Sequence, residues 1–356
     1  MTQNRKLEAP HRRLEATPPR VVEKAAVIGY RSVSAVLRFV PPAISRAVIA
    51  GGSQLSYLVW PEKRRFSNGN FSKVLGLPPD DPRVRRMALR AYKGYAAYMV
   101  ELMRLPSRPK EETANLIEGD GIDVIMGAWR ASGKAMIVTA GHVGNNEAIA
   151  AGIAGQGYPN NVVADDSAFP EIFEILRQER ESFGVHVVPW RNLRELFSIL
   201  RNNEILALLV DWGYRNDGIP VKLFGSWTTL PAGPATLAAK TGAIIAPLAC
   251  RREKNGKFRL ESDGAFTVPS SDPADIQRAT QRIADFLERT IRAAPEQWYN
   301  FKPIWPDNEA EAAELEQRAM AMLAGKPPKP ARVANVAPVD VALAAEATPD
   351  NGAASS

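Results

Sequence analysis

Six short apolar runs beyond Ile117 constrain the fold more than any other feature: KAMIVTA, NNVVAD, VHVVP, ILALLVD, GAIIAPLAC and KFRLES. Each has strand length, and amphipathic stretches separate several of them, including Phe169 to Glu181 and Leu193 to Asn202. A last helix is predicted over Asp275 to Ala293. Apolar strands alternating with helices bury both faces of a sheet beneath helical layers. The chain is therefore read as α/β, with a mixed, partly parallel sheet flanked by helices.

The region before these runs has a different texture. From Val21 to Trp60 the pattern is helical, with Val33, Val36, Leu37 and Val40 on one face. Pro41 and Pro42 break it, and a second helix runs to about Trp60. Lys24, Arg31 and Arg38 recur every seven residues, so they share one side of the first helix. A third helix, Arg83 to Leu105, carries Arg83, Arg86, Arg90 and Lys93 on one side and Met87, Ala91, Tyr95, Tyr98 and Leu102 on another. Such a layout suits helices lying at a membrane surface; it also suits amphipathic helices packed on their own domain. The uncharged stretch Ala47 to Trp60 is too short to cross a bilayer, which takes about 20 apolar residues.

These textures divide the 356 residues into five segments. They are a disordered leader (1–20), an N-terminal amphipathic, membrane-associating helical annex (21–116), a catalytic domain (117–306), a helical extension (307–324) and a disordered tail (325–356). The net charge of +6 favours anionic partners without choosing among them. The single cysteine, Cys250, excludes an intrachain disulfide and a thiolate metal cluster, and it follows an apolar run where a buried residue fits. The N-terminus lacks the apolar segment of a secretory signal, so the expected location is cytoplasmic.

The chain has three histidines. His11 lies in the leader and His186 inside VHVVP, so only His142 is placed like an active-site group. In KAMIVTAGHVGNNEAIAAG an apolar strand ends at Ala140, Gly141 permits a tight turn, and a helix begins after the Asn145–Asn146 cap. His142 therefore projects from the carboxyl end of a strand, the edge where α/β sheets gather their ligands. Glu147, after four intervening residues, is placed to fold back and hold one ring nitrogen, leaving the other to act as a general base. The structural alternative makes His142 a turn residue and Glu147 a helix N-terminal charge.

TAGHVGNNEAIA, with this H-x4-E spacing, resembles the first block of the glycerolipid acyltransferase superfamily. The chain from about Val27 to Pro306 is similar to that superfamily's bacterial lipid A biosynthesis branch, which includes the phosphatidylinositol mannoside acyltransferases. Arg180 in RQERESFGVHVVP, Asp211 in LLVDWGYRNDG, the block KLFGSWTTLPAGPATLAAKTGAIIAPL and the closing PEQWYNF fall in the branch's order. Two positions depart from its pattern: Gly213, where a second acidic residue is common, and Val143, where an aromatic follows the histidine.

The resemblance implies transfer of a fatty acyl group from a thioester to a lipid hydroxyl. His142 acts as base and Glu147 as its partner, while Arg180, Asp211 and Arg215, with Lys222, are candidate substrate-binding residues. No cofactor or metal is expected. The co-substrate is the thioester of CoA or acyl carrier protein, the other partner an anionic membrane lipid, and the location the cytoplasmic face of the cell membrane. Backbone donors at Val143 to Asn145 are candidates for stabilising the oxyanion. Three rivals stay open. A lipid or thioester hydrolase lacks a G-x-S-x-G elbow here, a nucleic-acid binder lacks a recognition motif, and a non-catalytic lipid-binding protein would use the helices alone.

Overall fold

Prolines set the helical boundaries of the N-terminal region. The structure, a computed structural model, describes residues 20–109, 112–113, 115–119, 121–166 and 169–327. The expected leader and tail lie outside the described residues, save for residue 20 and residues 325–327. Helix α1 spans Arg20–Leu37 and α2 spans Pro42–Val59. Pro41 holds an extended backbone that stops the first, and Pro42 opens the second where no N–H is needed. The same device opens α3 (Pro61–Leu75) and α4 (Pro82–Arg104), where the Asp81 carboxylate also accepts the N–H of Arg83 at 2.7 Å.

Helix α3 was absent from the sequence expectation. Its central Ser67, Asn68, Gly69 and Asn70 are poor helix formers, and burial of Ser67, Asn70, Phe71 and Val74 overrides that weakness. Gly76, with φ of 63°, then ends it in the left-handed region.

The rest alternates: β1 (Ile117–Glu118), α5 (Gly121–Ser132), β2 (Met136–Ala140), α6 (Asn146–Gly155), β3 (Asn160–Ala164), α7 (Pro170–Ser182), β4 (Val185–Pro189), α8 (Leu193–Arg201) and β5 (Ile205–Leu209). Then come β6 (Ile219–Leu223), β7 (Ser226–Leu230), α9 (Gly233–Thr241), β8 (Ile244–Arg252), β9 (Phe258–Ser262), β10 (Phe266–Thr267), α10 (Pro273–Ala293) and α11 (Glu309–Leu323). The six expected strands are β2, β3, β4, β5, β8 and β9. The sheet runs β1-β9-β8-β2-β5-β3-β4, with β10 also beside β8. Its centre, from β8 through β4, is parallel, and β9 and β10 join β8 antiparallel. This is the mixed, partly parallel α/β architecture expected, its sheet mostly parallel, with the helical region before it.

The hairpin β6–β7 was not foreseen, because IPVKL and SWTTL mix apolar and polar residues too evenly to be read as strands. Its two-residue turn, Phe224–Gly225, has both φ angles positive (50° and 71°), matching the twist of the paired strands.

Two features of this fold set up the site. Strands β2 and β5 are parallel neighbours with Ala140 opposite Leu209, and Val210 N–H donates to Ala140 C=O at 2.9 Å. Their carboxyl ends therefore open at the same point, two residues before His142 and Asp211. A single buried cluster also joins Tyr57, Phe71, Tyr92 and Tyr95 of the helical region to Ile137, Val143 and Leu206 of the sheet and to Trp298 and Phe301 beyond it. Among the described residues no helix is long and apolar enough to cross a membrane.

Candidate active site

The turn after β2 is shaped by two glycines. At Gly141 a Cβ would lie 2.4 Å from Leu287 Cδ1 and 3.2 Å from Asp211 Oδ2. Gly144 has φ of +71°, and a Cβ there would sit 1.6 Å from the carbonyl oxygen of Cys250. The turn is closed by backbone bonds: Gly144 N–H to Gln297 C=O at 2.9 Å, Asn145 N–H to Cys250 C=O at 3.1 Å, and Tyr299 N–H to His142 C=O at 2.8 Å. Asn145 caps α6 by accepting the N–H of Ala148 at 3.0 Å, the cap foreseen in the sequence. Gly144→Ala is expected to cost more than about 3 kcal/mol, since the methyl combines left-handed strain with a backbone clash. Chemical denaturation measures this, and an unchanged midpoint would refute the tight turn.

His142 is half-buried, with its side chain 17% exposed. Its Nδ1 lies 2.7 Å from Asp211 Oδ1. Asp211, with 1% of its side chain exposed, also accepts the backbone N–H of His142 through both oxygens (3.0 and 2.9 Å) and the indole N–H of Trp298 at 2.8 Å. Asn300 donates its amide to the Asp211 C=O. Burial by itself would raise the Asp211 carboxyl; the adjacent imidazole and these donors outweigh it and hold the group below its ordinary range. An ionised carboxylate fixed on Nδ1 selects the tautomer with the proton there, which puts the ring's lone pair on Nε2.

The expected pairing of His142 with Glu147 is corrected by this geometry. Glu147 is the second residue of α6, and there its carboxylate meets Arg180 near the end of α7 rather than the imidazole. Arg180 donates Nε and Nη2 to it at 3.0 and 2.6 Å. Burial would lower the Arg180 guanidinium, and the facing carboxylate reverses this and keeps it charged. Both side chains are largely buried, so they form a forked internal ion pair beside the histidine turn.

The other sequence candidates stand further along the chain. Arg215 lies on the loop after β5 with its guanidinium forked onto Asp217 at 2.8 and 2.7 Å. Lys222, on β6, sits over the Trp227 ring at 5.2 Å. The proposed oxyanion donors are also reduced: the N–H groups of Gly144 and Asn145 are spent on Gln297 and Cys250. Cys250 is buried, and burial pushes its thiol up, consistent with packing rather than reaction. Among the described residues no group of three or more His, Cys, Asp or Glu is arranged to hold a metal.

Sequence reasoning assigned no role to Trp298 or Asn300. Both lie in PEQWYNF, which was noted only as the closing block; the indole and amide of that block hold Asp211 from behind. Asn70 of α3 in turn donates to the C=O groups of Asn300 (3.0 Å) and Lys302 (2.7 Å).

The imidazole of His142 and the carboxylate of Asp211 thus meet at the carboxyl ends of two central strands of a mostly parallel α/β sheet. Residues 19–306 match the bacterial lipid A biosynthesis acyltransferase family, and the chain belongs to it. Membership makes it an acyltransferase of lipid biosynthesis. The phosphatidylinositol mannoside acyltransferase of Mycobacterium tuberculosis (strain CDC 1551) is 27% identical across 83% of this chain and 92% of its own length. The protein of that name from Mycolicibacterium smegmatis is 28% identical across 78% and 90%.

Proposed function

We propose that the chain transfers a fatty acyl group from an acyl thioester to a hydroxyl of a membrane glycolipid, with His142 as general base and Asp211 as the carboxylate that orients it. The observation carrying this reading is the 2.7 Å contact of His142 Nδ1 with a buried, ionised Asp211 in a member of an acyltransferase family. Nε2 takes the proton of the acceptor hydroxyl as its oxygen attacks the thioester carbonyl. The tetrahedral intermediate collapses by breaking the C–S bond, and the thiolate leaves and takes up a proton, so no acyl-enzyme forms. Arg180, forked onto Glu147, keeps Nη1 outside that pair as a donor to substrate oxygens. CoA and acyl carrier protein both fit as thioester carriers.

The names of the relatives make phosphatidylinositol mannoside the first acceptor to try. Purified protein is given labelled palmitoyl-CoA and vesicles carrying that lipid. Labelled lipid without labelled protein supports the proposal. Labelled free fatty acid alone would favour a hydrolase, and a labelled protein intermediate would overturn direct transfer.

In the same reading residues 21–116 form a membrane-associating annex to a catalytic body at 117–306, on the cytoplasmic face. Ten of the fourteen exposed large apolar side chains among the described residues lie between Val21 and Val59, including Ile28, Phe39, Val48 and Leu55. Lys24, Arg31, Arg38 and Arg46 are exposed beside them. An apolar surface with basic residues beside it suits an anionic bilayer. Changing Arg31, Arg38, Arg86 and Arg90 to Glu should release the protein from anionic vesicles in a flotation assay, since each basic residue contributes about 1 kcal/mol there. Added salt should weaken wild-type binding in the same direction. Unchanged flotation with lost activity on a short-chain, water-soluble acceptor would make the helices structural only.

A further inference from the structure

Behind the histidine turn lies a second polar cluster, which the mechanism above does not use. Glu101, on α4, accepts the Asn145 amide N–H at 2.9 Å through Oε2 and the Arg252 guanidinium through Oε1. Arg252, at the end of β8, is held in turn by Gln297. Its backbone N–H donates to the Gln297 side-chain oxygen at 2.8 Å, and the Gln297 amide donates back to the Arg252 C=O at 3.0 Å. The backbone C=O of Gln297 takes the N–H of Gly144. The contacts thus close a ring, from Glu101 through Asn145 and Gly144 to Gln297, then through Arg252 back to Glu101.

We infer that Glu101 is a positioning residue for His142, acting through the amide of Asn145. An ionised carboxylate only accepts hydrogen bonds, so it orders the Asn145 amide with its NH2 toward α4 and its oxygen toward the Ala148 N–H. The reverse orientation would set oxygen against oxygen and N–H against N–H. Asn145 is 3% exposed, so water cannot replace a lost partner. The cap starts α6, and the residue three places before it is His142. A helix outside the α/β body therefore fixes the angle at which the imidazole meets Asp211.

The charge on this cluster can be moved across the contact without changing its total. Glu101→Gln leaves one oxygen for two donors, and Asn145→Asp sets two carboxylates face to face. Together they restore every bond. The new carboxylate at 145 caps Ala148 and accepts from the new amide at 101, whose oxygen receives Arg252. The activity arm rests on the acyl-transfer reading, so a second readout stands apart from it: the tautomer of His142 by nitrogen NMR, in a chain with three histidines. Each single variant is expected to lower kcat by about tenfold or more with KM little changed, as a misplaced catalytic group does. Each should also mix the His142 tautomers. The double variant should recover kcat and the Nδ1–H form together.

Singles that match wild type in both readouts, or a double no better than the worse single, would overturn the inference. So would a double variant that regains only its melting temperature, because Glu101 would then serve stability alone. If wild type transfers no acyl group, the acyl reading fails and the tautomer alone decides the role of Glu101.

Discussion

His142→Ala is expected to lower acyl transfer by on the order of 10^3-fold or more while the protein stays folded, because a positioned general base contributes about 10^2 to 10^4 in rate. The fold should survive for a reason visible in the contacts. Asp211 loses the imidazole, yet it keeps the backbone N–H of residue 142 on both oxygens and the indole of Trp298. The expected stability loss is therefore that of one charge-assisted bond, about 1–3 kcal/mol. Steady-state transfer measured beside a thermal melt checks both halves. A folded variant with near wild-type turnover would remove His142 from the mechanism.

What the sequence disclosed was local in character. An apolar strand ending in glycine, a histidine and two asparagines before a helix is a message contained within about a dozen residues, and the turn at 141–146 follows it. The parallel strands were legible for the same reason, each being a short apolar run bounded by breakers. Helix α3 and the hairpin β6–β7 were not, since their residues take their conformation from burial against distant parts of the chain.

The partner of the histidine was hidden by the same distinction. H-x4-E offers a carboxylate close in sequence, but Glu147 lies one residue into α6 and is taken by Arg180, 33 residues away. Asp211 is 69 residues from His142 and reaches it because β2 and β5 are neighbours in the sheet. Nothing in the order of the strands along the chain states that adjacency. An acid after a core strand, in LLVDWGYRNDG, is the signal available in the sequence, which by itself offers Asp211 as a candidate substrate-binding residue.

The two carboxylates should consequently separate in mutagenesis. Asp211→Asn is expected to lower kcat by on the order of 10^4 with KM little changed, the scale reached when the orienting acid of a Ser-His-Asp arrangement becomes an amide. An amide N–H facing His142 Nδ1 selects the wrong tautomer, with the proton on Nε2, and that nitrogen can no longer accept one. Acid stability supplies an independent check. The Asp211 carboxyl is depressed in the folded state, so its contribution is present above its ordinary value of 3.8 and is lost as pH falls through the lower folded value. The asparagine variant should lack that part of the acid unfolding slope. Glu147→Gln should behave differently, because the amide keeps one acceptor for Arg180 but leaves its charge uncompensated in a largely buried place. Its effect should fall on stability, by up to about 3–5 kcal/mol, with a smaller loss in kcat. If Glu147→Gln instead removes turnover at an unchanged melting temperature while Asp211→Asn stays near wild type, Glu147 is the partner of the histidine in the working enzyme and the Asp211 contact is structural.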